Sequence, residues 1–452
     1  MSRYTHDLAR GPKKGACGEA VARLHCKTMK TPLQLPLFPL GESADEVSLP
    51  RVNVRTTLSD HEWGLLRQAE LEDIAPVEAW TIKATNRQLH YSSHGIFRFF
   101  GKFPPPIAAH LIDRYSSQGD LVIDPMVGSG TSAVEALLAN RLAHVSDVSP
   151  LSVLLTRVKT TYVDPQEALK CLGKIKKLYL TTEWIVEDPE LVGLRNPDHW
   201  FNLETKQNLA RLKKAIDIST SDKIRDLFWV AFAWTVRRVS RATTQQGRLF
   251  LDVNTAIEDP WKEFESRLNR AINIASSVPK NWINCVKIQN DSAIDMGEGS
   301  DTKNTLAKLC ILHPPYFNNY KYSGINSLEL AWLGYNHNLI RKEEIREFFK
   351  VGMESNTVHY INDMTKVFEN ITTMIQKGGH LGLMVGDSIF RNEYLPITRK
   401  LANNAKIYGL RPKLVALRVP QFTEASWVAS QRRKADKVGV SLYDFVIIFE
   451  KD

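Results

Sequence analysis

Two clusters in this 452-residue chain carry side chains and spacings suited to chemistry. The first is Asp124-Pro125-Met126-Val127-Gly128-Ser129-Gly130-Thr131. An acid closes an apolar run there, and two glycines one residue apart let the backbone turn tightly against a bound group. A helix-forming segment follows, whose first N–H groups have no partner within the helix. No lysine follows Gly130, which excludes a phosphate-binding loop of the GxxxxGK type. The dinucleotide pattern GxGxxG fails too, with Ala133 where the third glycine belongs, although variants with alanine there keep a nucleotide-like cofactor open. Asp147 lies 23 residues beyond Asp124, where an acid at the tip of a second strand would hold the hydroxyls of a ribose. Asp291 follows a third strand-like run, where it could accept from an adenine amino group. Singly, each acid could be a cap or turn aspartate; at three successive strand ends they suit one bound nucleoside.

The second cluster is Cys310-Ile311-Leu312-His313-Pro314-Pro315-Tyr316. Two prolines directly after a buried strand cannot continue its hydrogen-bonded ladder, so the chain must turn rigidly. Such a turn aims its carbonyl groups and flanking side chains into the space above a sheet. An aromatic ring beside it can stack on an extruded nucleobase. A neutral His313 could accept from an exocyclic amino group through a ring nitrogen. A plain structural turn with a core tyrosine would use the same residues. No Pro-Cys dipeptide occurs, so the cysteine nucleophile that attacks cytosine C5 has no counterpart.

The elements that must position these clusters read as a doubly wound α/β sheet. Leu121–Asp124 is a short apolar strand, Ser132–Asn140 a helix with Val134, Leu137 and Leu138 on one face, and Ala143–Val148 a second strand. Strand-like runs return at Cys285–Ile288, Leu309–Leu312, His380–Val385 and Tyr443–Phe449. Between them, Leu203–Ile216 and Ile224–Val239 show apolar spacings of three and four, as helices do. The predicted organisation is an N-terminal tail or extension over 1–85, partly disordered; a catalytic α/β domain over 86–165 and 281–452; and a helical insertion over 166–280, a candidate DNA-recognition region.

Hydrophobic residues make up 43% of the chain and charged residues 24%, which excludes disorder throughout. Fifty-nine Lys+Arg against 50 Asp+Glu leave a formal charge of +9, which suits a phosphate-backbone partner without demanding one. In the insertion, Arg237, Arg238, Arg241, Gln245, Gln246 and Arg248 are types that contact guanine and adenine edges; a solvated basic helix end is the alternative. Arg432 and Arg433, with Lys434 and Lys437, suit phosphates rather than bases. The five cysteines are widely spaced without a CxxC pair, so neither a disulfide framework nor a zinc site is expected, and no metal. With no apolar run long enough to span a bilayer and no signal peptide, the expected setting is cytoplasmic, without membrane contact. Within the basic tail, Leu33–Phe38 is an oily island that could pack onto the main body. Alternatively, Gln34-Leu35-Pro36-Leu37-Phe38 resembles the pentapeptide by which bacterial replication proteins bind the sliding clamp, which implies a clamp contact.

Together the motifs resemble those of the amino-group DNA methyltransferases. Asp124–Thr131 is similar to their motif I, DPFxGSGT, and His313–Tyr316 to motif IV, (S/D/N)PP(Y/F). Phe100-Gly101-Lys102-Phe103-Pro104-Pro105 resembles motif X, which helps hold the methionine part of S-adenosylmethionine. Val134–Leu138, Asp147–Leu151 and Val158–Thr161 follow the family as well, and the resemblance covers roughly residues 90–450. It implies a Rossmann-like methyltransferase sheet with S-adenosylmethionine across the strand ends. It further implies a base flipped from duplex DNA, and direct methyl transfer to its amino group without a covalent enzyme intermediate.

By resemblance, the cofactor residues are Lys102, Phe103, Asp124, Met126, Gly128, Gly130, Thr131, Asp147 at the ribose and Asp291 at the adenine. The catalytic residues are His313, Pro314, Pro315 and Tyr316, with Tyr316 stacking on the base. Cytosine N4 is favoured, because Tyr316–Gly334 with Leu328-Glu329-Leu330 resembles the Ser-Pro-Pro-Tyr group. Adenine N6 is the alternative, followed by an RNA methyltransferase and a non-catalytic DNA-binding subunit. His313 stands where the family has Ser, Asp or Asn, so the tautomer of its ring bears on its role. The implied partners are double-stranded DNA and a cognate restriction endonuclease, in a bacterial cytosol or nucleoid.

Overall fold

The computed structural model describes residues 49–181, 189–245, 248–255, 257–296, 306–317, 322–345, 355–390, 393–418 and 438–452. In chain order the strands are β1 Val52–Arg55, β2 Val77–Ile82, β3 Leu121–Asp124, β4 Leu142–Ser146, β5 Ala242–Gln245, β6 Arg248–Leu251, β7 Val286–Gln289, β8 Ala307–Leu312, β9 Ile375–Phe390, β10 Glu393–Leu395, β11 Leu410–Arg418 and β12 Val438–Lys451. The helices are α1 Asp60–Gln68, α2 Pro105–Tyr115, α3 Thr131–Leu138, α4 Pro150–Thr160, α5 Pro165–Thr181, α6 Pro197–Trp200, α7 Leu203–Ser219, α8 Asp222–Arg238, α9 Pro260–Ala275, α10 Tyr322–Ile325, α11 Ser327–Trp332, α12 His337–Glu343, α13 Ser355–Met374 and α14 Ile397–Ile407. Pro105 and Pro150 open α2 and α4 at the first turn, where a missing N–H costs nothing.

One sheet runs in the order β1-β2-β11-β12-β9-β8-β3-β4-β7, with β10 paired to β9. Strands β7, β4, β3, β8 and β9 are mutually parallel, and β12 is antiparallel to both β9 and β11. The winding reverses between β3 and β8. From β3 the chain proceeds outward through β4 to β7, and from β8 it proceeds the other way through β9. An α/β sheet opens its ligand crevice at such a reversal, beyond the carboxyl ends of the strands. Both chemical clusters of the sequence stand on that line.

The strands alternate faces, as their period of two requires. Val122, Leu309, Ile311 and Met384 pack against α2 and α3 through Ile107, Leu111 and Ala133. Ile123, Cys310, Leu312 and Leu383 pack on the other face with Tyr360, Phe368 and Leu401 of α13 and α14. A separate apolar core joins α5, α7, α8 and α9 around Phe201, Phe228, Phe232 and Phe264, and it continues into Leu151 and Leu155 of α4 and Leu328 and Trp332 of α11.

Three features differ from the sequence-based reading. Residues 52–82, expected inside an N-terminal extension, supply β1 and β2, and β2 lies parallel to β11 within the main sheet. Their partner strand lies more than 300 residues away, so no local pattern announces them. The region 166–280, expected to be helical, also holds the hairpin β5–β6. Strand β11 was not foreseen: Pro412 interrupts its alternation, and the pairing with β12 is irregular between Pro412 and Leu414.

Trp80 of β2 is fully buried, donates Nε1–H to Glu78 at 2.7 Å and meets the His110 ring edge-on at 4.6 Å. Trp80→Ala is expected to destabilise the protein by about 3–5 kcal/mol, the usual cost of truncating a core aromatic. Chemical denaturation checks this; an unchanged midpoint would mean that β2 is not part of the core.

Candidate active site

The glycine turn after β3 is braced from two sides. Gly128 and Gly130 have φ of 52° and 84°, the left-handed region that other residues enter only with strain. A Cβ on Gly130 would stand 3.0 Å from Thr156 Oγ1 and 3.2 Å from Thr156 Cα, so α4 leaves room for glycine alone. In front, Asp147 at the end of β4 accepts the Gly128 N–H at 2.8 Å and the Ser149 N–H at 2.9 Å. Behind, the fully buried Lys159 donates to the Ser129 carbonyl at 2.7 Å. Asp124 accepts the Met126 N–H at 2.9 Å and the Ser132 hydroxyl. Burial pushes the Asp124 carboxyl up to about 7 and that of Asp147 up to about 6.

The paired-proline turn lies one strand over. His313 sits between the rings of Phe103, at 5.1 Å, and Tyr316, at 5.3 Å and nearly perpendicular. Its Nε2 is 3.3 Å from Tyr316 Oη. Burial, with the Arg418 guanidinium, pushes the imidazole down to about 3, so the ring is neutral. The Pro315 carbonyl accepts the Tyr360 hydroxyl at 2.9 Å, and the Phe317 carbonyl accepts Ser388 Oγ at 2.5 Å, so α13 and β9 fix the turn.

A cleft opens between the two turns. Phe103, Asp124, Met126, Gly128, Asp147, His313 and Pro315 of the sequence-predicted residues line it. Others take different places. Lys102 does not line the cleft: its ammonium, pushed down to about 8 by burial, donates to the His94 carbonyl at 3.1 Å. Gly130 and Thr131 form the layer behind, where the Thr131 hydroxyl meets that of Ser129 at 3.1 Å. Pro314 is buried beneath the turn. Asp291 lines an adjoining space that shares Val148, Ser292, Glu343 and Glu344 with the cleft, and it accepts the Ser292 N–H at 2.9 Å. The ring of Tyr316, expected to stack on a base, packs against Gly386.

Sequence reasoning missed the roof of the cleft, formed by Tyr322, Ser323, Asn326 and Glu344. Glu344 accepts the Ser323 N–H at 2.9 Å and its hydroxyl at 3.0 Å, closing the segment on itself. No motif marks these residues; only their place after the proline turn could have pointed to them.

The residues present fit S-adenosylmethionine. Gly128 offers bare backbone to the cleft, and the described lining holds Asp124, Asp147, Glu343 and Glu344 but neither Lys nor Arg. That polarity suits a sulfonium and opposes a phosphate-bearing nucleotide.

The candidate DNA contacts divide. Arg237 is half-buried, pairs with Glu329 at 2.8 Å and also donates to the Ile325 carbonyl. Arg238 is half-exposed and 3.7 Å from Glu263, and Arg241 is half-buried. Gln245 and Arg248 pair across the β5–β6 hairpin. Gln246, Arg432, Arg433 and the segment Gln34–Phe38 lie outside the described residues.

Residues 53–151 match the N6_N4_Mtase family model, described as DNA methylase. Type II methyltransferase M.MjaII of Methanocaldococcus jannaschii is 33% identical over 147 residues, covering 31% of this chain and 27% of that protein. M.MvaI of Kocuria varians is 25% identical over 233 residues, 46% of this chain and 50% of that one. M.BsoBI of Geobacillus stearothermophilus is 25% identical over 281 residues, 56% and 54%. The chain thus spans between about a quarter and half of the length of these curated relatives. The matches bear out the resemblance to the amino-group DNA methyltransferases read from the motifs. Among the described residues, no helix is long and apolar enough to cross a membrane.

The raised carboxyls predict a pH dependence. A folded-state pKa above the unfolded value favours the native state below the unfolded pKa, and that stability is lost as pH rises through the folded one. For Asp124 the window runs from about 4 to about 7. Asp124→Asn should therefore flatten the fall in stability across this window, read by urea titration at several pH values. An unaltered slope would contradict it.

Proposed function

We propose that this chain, similar to the S-adenosylmethionine-dependent amino-group DNA methyltransferases, methylates an exocyclic amino nitrogen in double-stranded DNA, with cytosine N4 favoured over adenine N6. The observation that carries this reading is that Gly128 and His313 line one cleft at the reversal of the sheet. The glycine turn and Asp147 would hold the nucleoside part of the cofactor, and Asp291, which lines the adjoining space, would face its adenine. Phe103 and Met126 supply apolar walls. S-adenosylmethionine held there would supply an electrophilic methyl to the amino nitrogen, with a neutral thioether as the leaving group and one proton of the amino group passing to solvent.

The chain's own part is orientation and exclusion of water. His313, neutral and facing the cleft, can receive a hydrogen bond from the amino group and aim the nitrogen lone pair. No covalent enzyme intermediate is needed, and most of the rate would come from alignment of the two reactants. A base reaches such a recess only when flipped from the stack. The surplus of positive charge supports backbone binding, with Arg238 and Arg241 among the described basic side chains in the insertion. The curated relatives are Type II methyltransferases, which supports a cognate restriction endonuclease as a partner. The Gln34–Phe38 pentapeptide supports a sliding-clamp contact.

Duplex DNA incubated with the protein and S-adenosylmethionine, then digested to nucleosides for mass spectrometry, is expected to contain N4-methylcytosine. C5-methylcytosine, or no modified nucleoside, would overturn the assignment. His313→Ala is expected to lower kcat by about 10²–10⁴-fold, the range for a positioned proton acceptor, while calorimetric binding of S-adenosylmethionine persists.

A further inference from the structure

Arginine is the side chain best shaped for a phosphate: its planar fork of N–H groups matches two oxygens at once, and its charge does not titrate away. Exposed arginines on a helix are ordinary. What marks a phosphate-binding face is arginines from separate parts of the chain, held in place and short of acids to neutralise them. One such place lies outside the cleft. Trp234 of α8 is buried in the apolar core of the insertion, and the guanidinium groups of Arg267 and Arg270, one turn apart on α9, stand 5.2 and 5.5 Å from the centroid of its ring. Arg267 is also tied to Glu263 at 2.7 Å, and Arg238 of α8 lies 3.7 Å from the same carboxylate. Arg270 is exposed and forms no ion pair or hydrogen bond with any described residue.

This face runs to the rim of the cleft. The Phe97 ring lies 6.2 Å from that of Trp234, and Arg270 Nη2 is 3.6 Å from where a Cβ on Gly95 would stand. Two residues past Phe97, Phe99 lines the cleft, with its ring 3.5 Å from where a Cβ on Gly128 would stand. Between these two phenylalanines Arg98 is exposed, its guanidinium 5.1 Å over the Phe100 ring. It too has no acidic partner among the described residues. Four arginines from α8, α9 and the segment bordering the cleft are thus balanced by one paired carboxylate, Glu263.

We propose that Arg238, Arg267 and Arg270 on α8 and α9, with Arg98 at the rim of the cleft, form the face that holds the phosphate backbone of duplex DNA beside the flipped base. The inference rests on the DNA amino-methyltransferase reading and assigns its partner a docking surface. A flipped base stays tied to its two flanking phosphates, so a nucleotide whose base enters the cleft brings them to the rim, where Arg98 stands. A guanidinium already stacked on a ring has little rotamer freedom left to lose and keeps its N–H edge for oxygen. Phosphates carry no base identity, so this face supplies affinity and register and leaves sequence readout to other side chains.

The salt dependence of binding to labelled duplexes of unrelated sequence, followed by fluorescence anisotropy on the full chain, tests this without any turnover. Each phosphate contact adds about one unit to the slope of log affinity against log salt. Arg98→Gln and Arg270→Gln should each make that slope shallower by about one, and the double variant by about two, with the same weakening on every sequence. Calorimetric binding of S-adenosylmethionine should be unchanged in all three. Arg411→Gln removes the same charge at the start of β11, which runs parallel to β9, and so at the end of the sheet away from the cleft; its slope should equal that of the wild type. Unaltered slopes in the Arg98 and Arg270 variants, an equal change in Arg411→Gln, or binding of structured RNA but not of duplex DNA would each overturn the proposal. The expected slopes in a protein that methylates no DNA would uphold the face and reject the function.

Discussion

The pairing of β3 with β8 is the constraint on which the site depends. Val122 lies opposite Leu309 and Ile123 opposite Cys310, in parallel. Two turns separated by nearly 190 residues of chain therefore leave the sheet side by side. One turn brings bare backbone and an acid, and the other brings a rigid corner with an imidazole. Neither is a site alone. A slip of this pairing by one residue would swap every strand side chain between the two cores, so the packing of both faces guards the register.

That guarded geometry lets the protein bury charge where chemistry needs it. Asp124, Asp147 and Lys159 lie at or under the glycine turn, and each is costly to desolvate. Each is tied to a backbone group of the turns: Met126, Gly128 and Ser149, and Ser129. Fully satisfied networks of this kind define one arrangement, whereas partly satisfied ones are penalised. The Arg418–Asp444 pair, on the neighbouring strands β11 and β12, is likewise largely buried. A ligand meets two loops already held in place, and little ordering remains to be done on binding.

Much of this was legible in the residues. The strand ends at Asp124 and Asp147, the helix after Gly130 and the corner at Pro314-Pro315 all follow from local chemistry, and the structure has them. Contacts set by distant pairing were not legible. β2 finds β11 across more than 300 residues, and the Tyr316 ring packs against Gly386, on a strand outside both motifs. Lys102 sits in the segment that resembles motif X, yet its ammonium serves the His94 carbonyl behind the wall. Composition and order along the chain tell which side chains are near a turn; they do not tell which way those side chains face.

Arg237 carries that lesson further, because its actual partner assigns a role to the insertion. Read along the chain it is one of several arginines at a helix end. In the fold it grips Glu329 and the Ile325 carbonyl, beside the cleft-lining Asn326. Trp332 of the same short helix is wedged against Phe201 and Phe232, and Lys213 donates to its carbonyl at 2.9 Å. The roof after the proline turn is thus anchored in the core of α7 and α8 rather than in the sheet. An ion pair in that position contributes less to stability than to the placement of what it joins, since apolar residues of similar volume would often be as stable. The helical insertion therefore belongs to the architecture of the cleft itself, because Arg237 and the core of α7 and α8 help to hold the segment that carries Tyr322, Ser323 and Asn326.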